Sequence, residues 1–308
     1  MWCFFSGDVL IKNLTKKSIV IDTDIGDDVD DILALAYALT HKELEILGIT
    51  TVFRNTSLRA KIASYFLGLA DRPDIPVHPG VGQPIAGSVD DGEIPCQFGD
   101  EMSNIEVSSV DAIQFLASLL ERQQITIVCI GPLTNIATLI KQRPDLIPRI
   151  DELVIMGGAY YRHVAEWNIL CDPEAASIVF NSGVNIRAVG LDVTLHCRIS
   201  SDRLKKVRAG RPVQDFLLEM CRRWFDHSGY RPILHDPLAI FALLDESDIQ
   251  YQEEKVNIEC IGTFTRGVSF CEEHRMWERE VPDPNVLVAV KLDYQRFTDR
   301  FMSAVFGD

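Results

Sequence analysis

No apolar run in the 308 residues approaches the ~18 needed to cross a bilayer. The greasy stretch from Trp2 to Phe5 is too short for the apolar core of a signal peptide. A membrane-embedded or exported protein is thus not expected, a cytoplasmic one is, and the sequons Asn13-Leu14-Thr15 and Asn55-Thr56-Ser57 read as chance matches. Basic residues are also short: 30 Lys and Arg face 45 Asp and Glu, a net charge of −15. That averaged field repels nucleic acid and anionic lipid and fits a small neutral ligand better. The eight cysteines include no C-x-x-C pair, which removes the usual zinc and dithiol motifs. Several lie in apolar runs, so they are expected to be reduced, buried thiols in an intracellular protein. There is no Ser/Gly linker, low-complexity tract or internal repeat, so a solenoid and a chain of small modules are both disfavoured.

What is present is 47% hydrophobic residues, enough for a large core, arranged as short β-rich runs alternating with helical stretches. Strands are predicted at 18–22, 45–52, 75–78, 125–130, 152–157 and 186–193. Helices are predicted at 30–41, 56–70, 110–122, 133–143, 173–182, 201–209, 212–227 and 236–245. Such alternation predicts an α/β fold: an open, mainly parallel central sheet with helices on both faces. After Glu246 the pattern changes to two β-rich runs, 256–264 and 267–271, then a strand at 286–292 and a helix at 295–306. This reads as a short antiparallel addition near the C-terminus. Residues 1–17 lack a period and are expected to form an extension to a single domain, 18–308. The segment from Pro79 to Ser109, rich in Gly, Pro, Asp and Ser, is expected to be a mobile loop over the site.

The chemistry concentrates where the first strand ends. Ile19-Val20-Ile21 runs into Asp22-Thr23-Asp24-Ile25-Gly26-Asp27-Asp28-Val29-Asp30-Asp31, six carboxylates in ten residues, followed by the apolar helix from Ile32. Two like charges ~4 Å apart at an effective dielectric near 20 repel by about 4 kcal/mol, so such crowding calls for protons or a cation. A cation is the reading adopted here. An EF-hand is not the answer: counted from Asp22, Asp27 occupies the glycine position and Leu33 that of the bidentate Glu. Ligands of open parallel sheets bind at the carboxyl ends of the strands. Four more polar or glycine-rich stretches lie at such ends: Thr50 to Asn55, Ile130 to Asn135, Met156-Gly157-Gly158, and His235-Asp236-Pro237.

Together these pieces resemble the inosine-uridine-preferring nucleoside hydrolase family from Ile19 to about Asp293. The likeness rests on D-T-D-I-G at 22–26 with D-D at 30–31, G-P-L-T-N-I-A at 131–137, M-G-G at 156–158, A-E-W-N-I at 165–169, D-P-E-A-A at 172–176, G-L-D-V-T at 190–194 and H-D-P at 235–237. It implies a Rossmann-like hydrolase fold and Ca²⁺-dependent hydrolysis of the N-glycosidic bond of ribonucleosides, giving ribose and a free purine or pyrimidine base. It also implies a homodimer or homotetramer. By resemblance the metal ligands are Asp24, Asp31, Asp236 and the carbonyl of Ile130, with Asp24 also the general base for the attacking water. Asp30, Asn55, Glu166 and Asn168 would hold the ribose, Met156 would wall it, and Asp22 would support the metal ligands. His235 would protonate the leaving base, for which an ordinary imidazole pKa of ~6.5 is suited.

Two departures from the family pattern matter. Asp27-Asp28-Val29 stands where the simplest pattern has one residue. Asp30-Asp31 is taken as the working pair because the apolar helix begins directly after it, which leaves Asp27 and Asp28 as extra acids at the helix N-terminus. In some members, histidines of the long loop meet the base, but Gly92 to Asn104 has none. Trp167, Phe98, Trp224, His227, Tyr230 and Arg231 are the candidates for that task. Two competing readings are a haloacid-dehalogenase-like Mg²⁺ phosphatase, since D-x-D follows an apolar strand, and a riboside-binding protein on a hydrolase scaffold without turnover.

Overall fold

β1 (Lys17–Thr23) buries Ile19 and Ile21 on one face and Val20 on the other, so this short run already requires cover on both sides. The computed structural model describes residues 16–208, 210–244, 246–272 and 283–307, and it supplies that cover. The further strands are β2 (Leu44–Thr51), β3 (Val77–Pro79), β4 (Ile125–Cys129), β5 (Ile150–Met156), β6 (Ile186–Val189), β7 (Ile249–Glu254), β8 (Val256–Ile258), β9 (Ser269–Cys271) and β10 (Val286–Leu292). Their order in the main sheet is β3-β2-β1-β4-β5-β6-β10-β7, parallel throughout except for β7, which runs antiparallel to β10 at the edge. β8 and β9 form a separate antiparallel pair. The expected open parallel sheet with a short antiparallel addition is therefore the fold observed.

Helices Asp30–Thr40, Thr56–Leu69, Pro212–Ser228, His235–Leu244 and Tyr294–Phe306 bury their apolar stripes on one face. Helices Ala112–Leu120, Thr134–Gln142 and Pro173–Phe180 cover the other. The order 3-2-1-4-5-6 puts β1 and β4 side by side at the centre, where successive connections leave in opposite directions and a crevice opens at the strand ends.

Three expectations change. The strand foreseen at 186–193 ends at Val189, because Gly190 starts the helical turn Leu191–Thr194. A side chain at Gly190 would meet the Gly158 carbonyl at 2.7 Å, so that close turn excludes an extended continuation. The run 256–264 pairs only as far as Ile258. β7 is an addition, hidden in the sequence by its polar edge residues Gln250, Gln252, Glu253 and Glu254. The expected extension falls outside the described residues up to residue 15, and Lys17 already belongs to β1.

Candidate active site

The acidic stretch leaves β1 at the crevice. Asp22 is fully buried, and its Oδ1 accepts hydrogen bonds from Thr50 Oγ1 at 2.5 Å and Asn135 Nδ2 at 2.7 Å, which fastens β1 to β2 and to the helix Thr134–Gln142 that follows β4. Its Oδ2 is buried without a hydrogen-bond partner, and burial pushes the carboxyl up to about 7. Asp24, just past the end of the strand, borders the cavity. Its burial also raises it to about 7, against the opposing pull of the Arg59 guanidinium.

Gly131 explains how Asp24 gets its place: a methyl group there would stand 2.8 Å from Asp24 N and 2.9 Å from Asp24 Oδ1. Thr23 Oγ1 donates to Asp31 Oδ1 at 2.5 Å and accepts from Ile25 N at 3.1 Å, so the residue between the two strand-end acids fixes a third acid on the following helix.

Asp30 and Asp31 open the helix Asp30–Thr40, where the helix dipole favours negative charge. Asp236, in the first turn of His235–Leu244, donates its backbone N–H to Asp30 Oδ2 at 3.3 Å. Carboxylate oxygens of Asp30, Asp31 and Asp236 lie within 4.8 Å of one another and all three residues are buried. Burial first, and then repulsion among neighbouring carboxylates that include Asp24 and Asp28, push all three well above the usual carboxylate range. Three buried acids at this spacing, beside the Ile130 carbonyl, form an all-oxygen donor set that fits a hard divalent cation. Of the extra acids, Asp27 pairs with Arg59 at 2.7 Å, while Asp28, whose Oδ1 accepts from Val29 N at 2.6 Å, stands beside Asp30 and adds its repulsion to the trio.

These groups line one cavity of about 510 Å³, within the range for small-molecule sites. Asp24, Asp30, Asp31, Ile130, Met156, Glu166, Trp167, Asn168, His235 and Asp236 all border it. Glu166 caps the helix Trp167–Cys171, its carboxylate accepting from the N–H groups of Gly158, Asn168 and Ile169 at 2.9–3.1 Å. Asn168 Nδ2 donates to the carbonyls of Met156 and Ile130 at 3.1 and 3.3 Å, which turns the amide oxygen the other way. Trp167 is 56% exposed at the rim. His235 Nδ1 is 2.7 Å from Thr194 Oγ1, and burial, with help from Arg198, lowers it to about 4, so it is neutral near pH 7.

Asn55 departs from its expected place. Its Oδ1 caps the helix Thr56–Leu69 by accepting from Leu58 N at 3.1 Å, and its neighbour Arg54, ion-paired to Glu93, borders the cavity instead. Among the candidates for the base, Trp224 and His227 border the cavity, Tyr230 and Arg231 line an adjoining one, and Phe98 packs on the core. The segment 79–109 does cross the acidic loop, but it is tied down. Gln97 N donates to Gly26 O at 2.9 Å, and Gln97 Nε2 donates to the carbonyls of Asp27 and Asp28 at 3.1 and 2.5 Å.

Sequence reasoning missed Gln97, Arg54 and Arg59. Arg59 left a trace: it shares the stripe Arg59, Ile62, Ala63 and Phe66, the buried face of its helix, where an unpaired cation is too costly to stand.

The chain matches the family model of inosine-uridine preferring nucleoside hydrolases over residues 19–299. It belongs to that family. It is similar to the pyrimidine-specific ribonucleoside hydrolase RihA of Salmonella typhi, with 32% identity over 308 residues, covering 91% of this chain and 96% of that protein. Its fold is similar to that of a plant nucleoside hydrolase, the PpNRh1 enzyme, with a TM-score of 0.84 and 25% identity over 95% of this chain and 99% of that one. A purine-preferring ribonucleoside hydrolase from Gardnerella vaginalis gives a TM-score of 0.79 and 28% identity, over 94% and 98% of the two chains. The protein is therefore a nucleoside hydrolase, an enzyme acting on N-glycosyl bonds, with an aspartate cluster able to hold a metal ion. No helix among the described residues is long and apolar enough to cross a membrane.

Proposed function

We propose that this hydrolase cleaves the N-glycosidic bond of ribonucleosides in the 510 Å³ cavity, with Ca²⁺ as its metal and Asp24 as general base. The observation that carries the reading is one cavity that Asp24, Asp30, Asp31 and Asp236 line together with Met156, Glu166 and Asn168, so that carboxylates, an apolar surface and fixed polar groups meet in it. Asp24, Asp31, Asp236 and the Ile130 carbonyl would hold the cation, and Asp22 supports them by fastening β1. A bound divalent cation would supply a Lewis acid that holds ribose hydroxyls and makes water more acidic.

Asp24, beside the water the cation would hold, would take that water's proton. Asp30, Glu166 and Asn168 grip the ribose hydroxyls, and the anionic walls stabilise the oxocarbenium-like cation that forms as the base departs. His235, neutral at rest, would first take up a proton from solvent, an uptake that negative charge building on the departing base favours, and then pass that proton to the base. Trp167 stacks on the base from the rim. Asn55 would meet the ribose only through Nδ2, since its side-chain oxygen caps a helix.

The phosphatase alternative requires Asp22 as an accessible nucleophile, and Asp22 is fully buried with one oxygen bonded to Thr50 and Asn135. The described cysteines are all free, which supports a reducing, cytoplasmic setting. A homodimer or homotetramer is proposed from the family likeness.

The test is a reducing-sugar assay on a panel of purine and pyrimidine ribonucleosides with Ca²⁺ and with chelator. Ribose release that chelator stops and Ca²⁺ restores is expected. Calorimetric binding of the same nucleosides without any ribose would establish the binding-protein reading instead.

A further inference from the structure

We infer that Arg59 is the positioning residue of the metal loop: it acts as a buried strut that holds Asp24 to Asp28 in the shape the cation needs, with Asp27 as its counter-charge. The inference rests on the metal-site reading above. Arg59 projects from the helix Thr56–Leu69, its side chain only 1% exposed, beneath the loop that leaves β1. The guanidinium donates in three directions: Nε to the Phe53 carbonyl at 2.8 Å, Nη1 to the carbonyls of Asp24 and of Ile25, the latter at 3.0 Å, and Nη2 to Asp27 Oδ2 at 2.7 Å.

The planar fork thus joins the ends of β1 and β2 at the level of their backbones, a job that a point-charge ammonium cannot do. From the other side, Gln97 holds the carbonyls of Gly26, Asp27 and Asp28. The loop is clamped between a cation below and an amide above. Asp27 belongs to this clamp: its carboxylate pairs with Arg59 and is not part of the cluster of Asp30, Asp31 and Asp236.

Two physical effects of Arg59 on cation binding oppose each other. As a bare positive charge it would repel a divalent ion, so its removal would tighten binding. As a strut it fixes Asp24 through the backbone, so its removal would loosen binding. The Asp27 carboxylate largely cancels the charge of Arg59 at a distance, which leaves the strut as the larger effect. Partners that orient metal ligands typically contribute 10–100-fold in affinity or activity, so loss of about tenfold or more is expected.

The experiment uses the full chain with Arg59→Met and the milder Arg59→Lys, each checked for folding by circular dichroism. Ca²⁺ alone is titrated by calorimetry. Backbone hydrogen exchange of the peptide spanning 22–29 is measured in the metal-free protein. Weaker Ca²⁺ binding is expected, by about tenfold or more for Met and less for Lys, together with faster exchange in that peptide. At saturating Ca²⁺, kcat falls while KM changes little, because the nucleoside contacts remain.

Unchanged or tighter Ca²⁺ binding in whichever variant folds would overturn the inference. So would exchange in 22–29 no faster than in the unmodified protein. The exchange measurement needs no metal, so it decides on the strut even if the unmodified protein binds no Ca²⁺, a result that would sink the Ca²⁺ reading alone.

Discussion

Stripping the metal should make the stability of this hydrolase depend on pH in a way that reloading it partly reverses. Asp22 and Asp24 are both raised from 3.8 to about 7 by burial. Between these values the unfolded chain has released the proton and the folded chain still holds it. The slope of unfolding free energy with pH is therefore negative, and stability is lost as pH rises from 4 to 7. A displacement of this size corresponds to about 4 kcal/mol for each carboxyl.

Asp24 borders the cavity and Asp22 does not, so a cation there relieves the first and leaves the second. The gain in unfolding free energy on adding Ca²⁺ should thus be larger at pH 8 than at pH 5, by about 3 kcal/mol from Asp24 alone, since only the stretch from pH 5 to about 7 is crossed. Urea unfolding followed by tryptophan fluorescence, at both pH values with chelator and with excess Ca²⁺, measures all four quantities. A metal-free protein equally stable at pH 5 and pH 8, or a Ca²⁺ gain that does not change with pH, would refute the reasoning.

Three other substitutions probe separate parts of the site. Asp24→Asn should cut kcat by about 10²–10⁴-fold through loss of the base, while calorimetry still detects Ca²⁺, which Asp24→Ala should bind more weakly. Gly131→Ala should displace Asp24, whose N and Oδ1 lie within 2.9 Å of the new methyl group, so activity falls while circular dichroism remains that of the folded protein. Asn135→Ala removes a donor to Asp22, leaving its carboxylate less satisfied in the core, and should cost about 1–3 kcal/mol of unfolding free energy, read from the urea midpoint.

The parts of this molecule that were legible in the sequence are those where one physical demand dominates. Ile19 to Ile21 has to be buried on both faces, so β1 and the parallel sheet around it could be read directly. The acids of 22–31 had to face something, and the apolar helix after Asp31 picked Asp30-Asp31 over Asp27-Asp28, which is the pair found beside Asp236. The parts that stayed hidden depend on distant partners. Asn55 has the residue type for a sugar contact and equally for a helix cap, and only its geometry to Leu58 N decides. Gln97 lies in a segment without a period, so nothing local marks it as the upper clamp of the acidic loop. β7 is polar along most of its length because it is an edge, and edges carry little of the apolar pattern that reveals a strand.

Asp30 and Asp236 touch across 206 positions of sequence. The aspartate cluster able to hold a metal ion therefore does not exist in any local fragment of the chain; it comes into being when the helices Asp30–Thr40 and His235–Leu244 meet. A cation cannot serve as a seed for folding here, because the loop closure that brings its donors together must come first. Metal affinity then becomes a readout of completed topology: a chain that has built every strand but not docked its His235–Leu244 helix should be blind to Ca²⁺, and the ion acts as a lock fitted last.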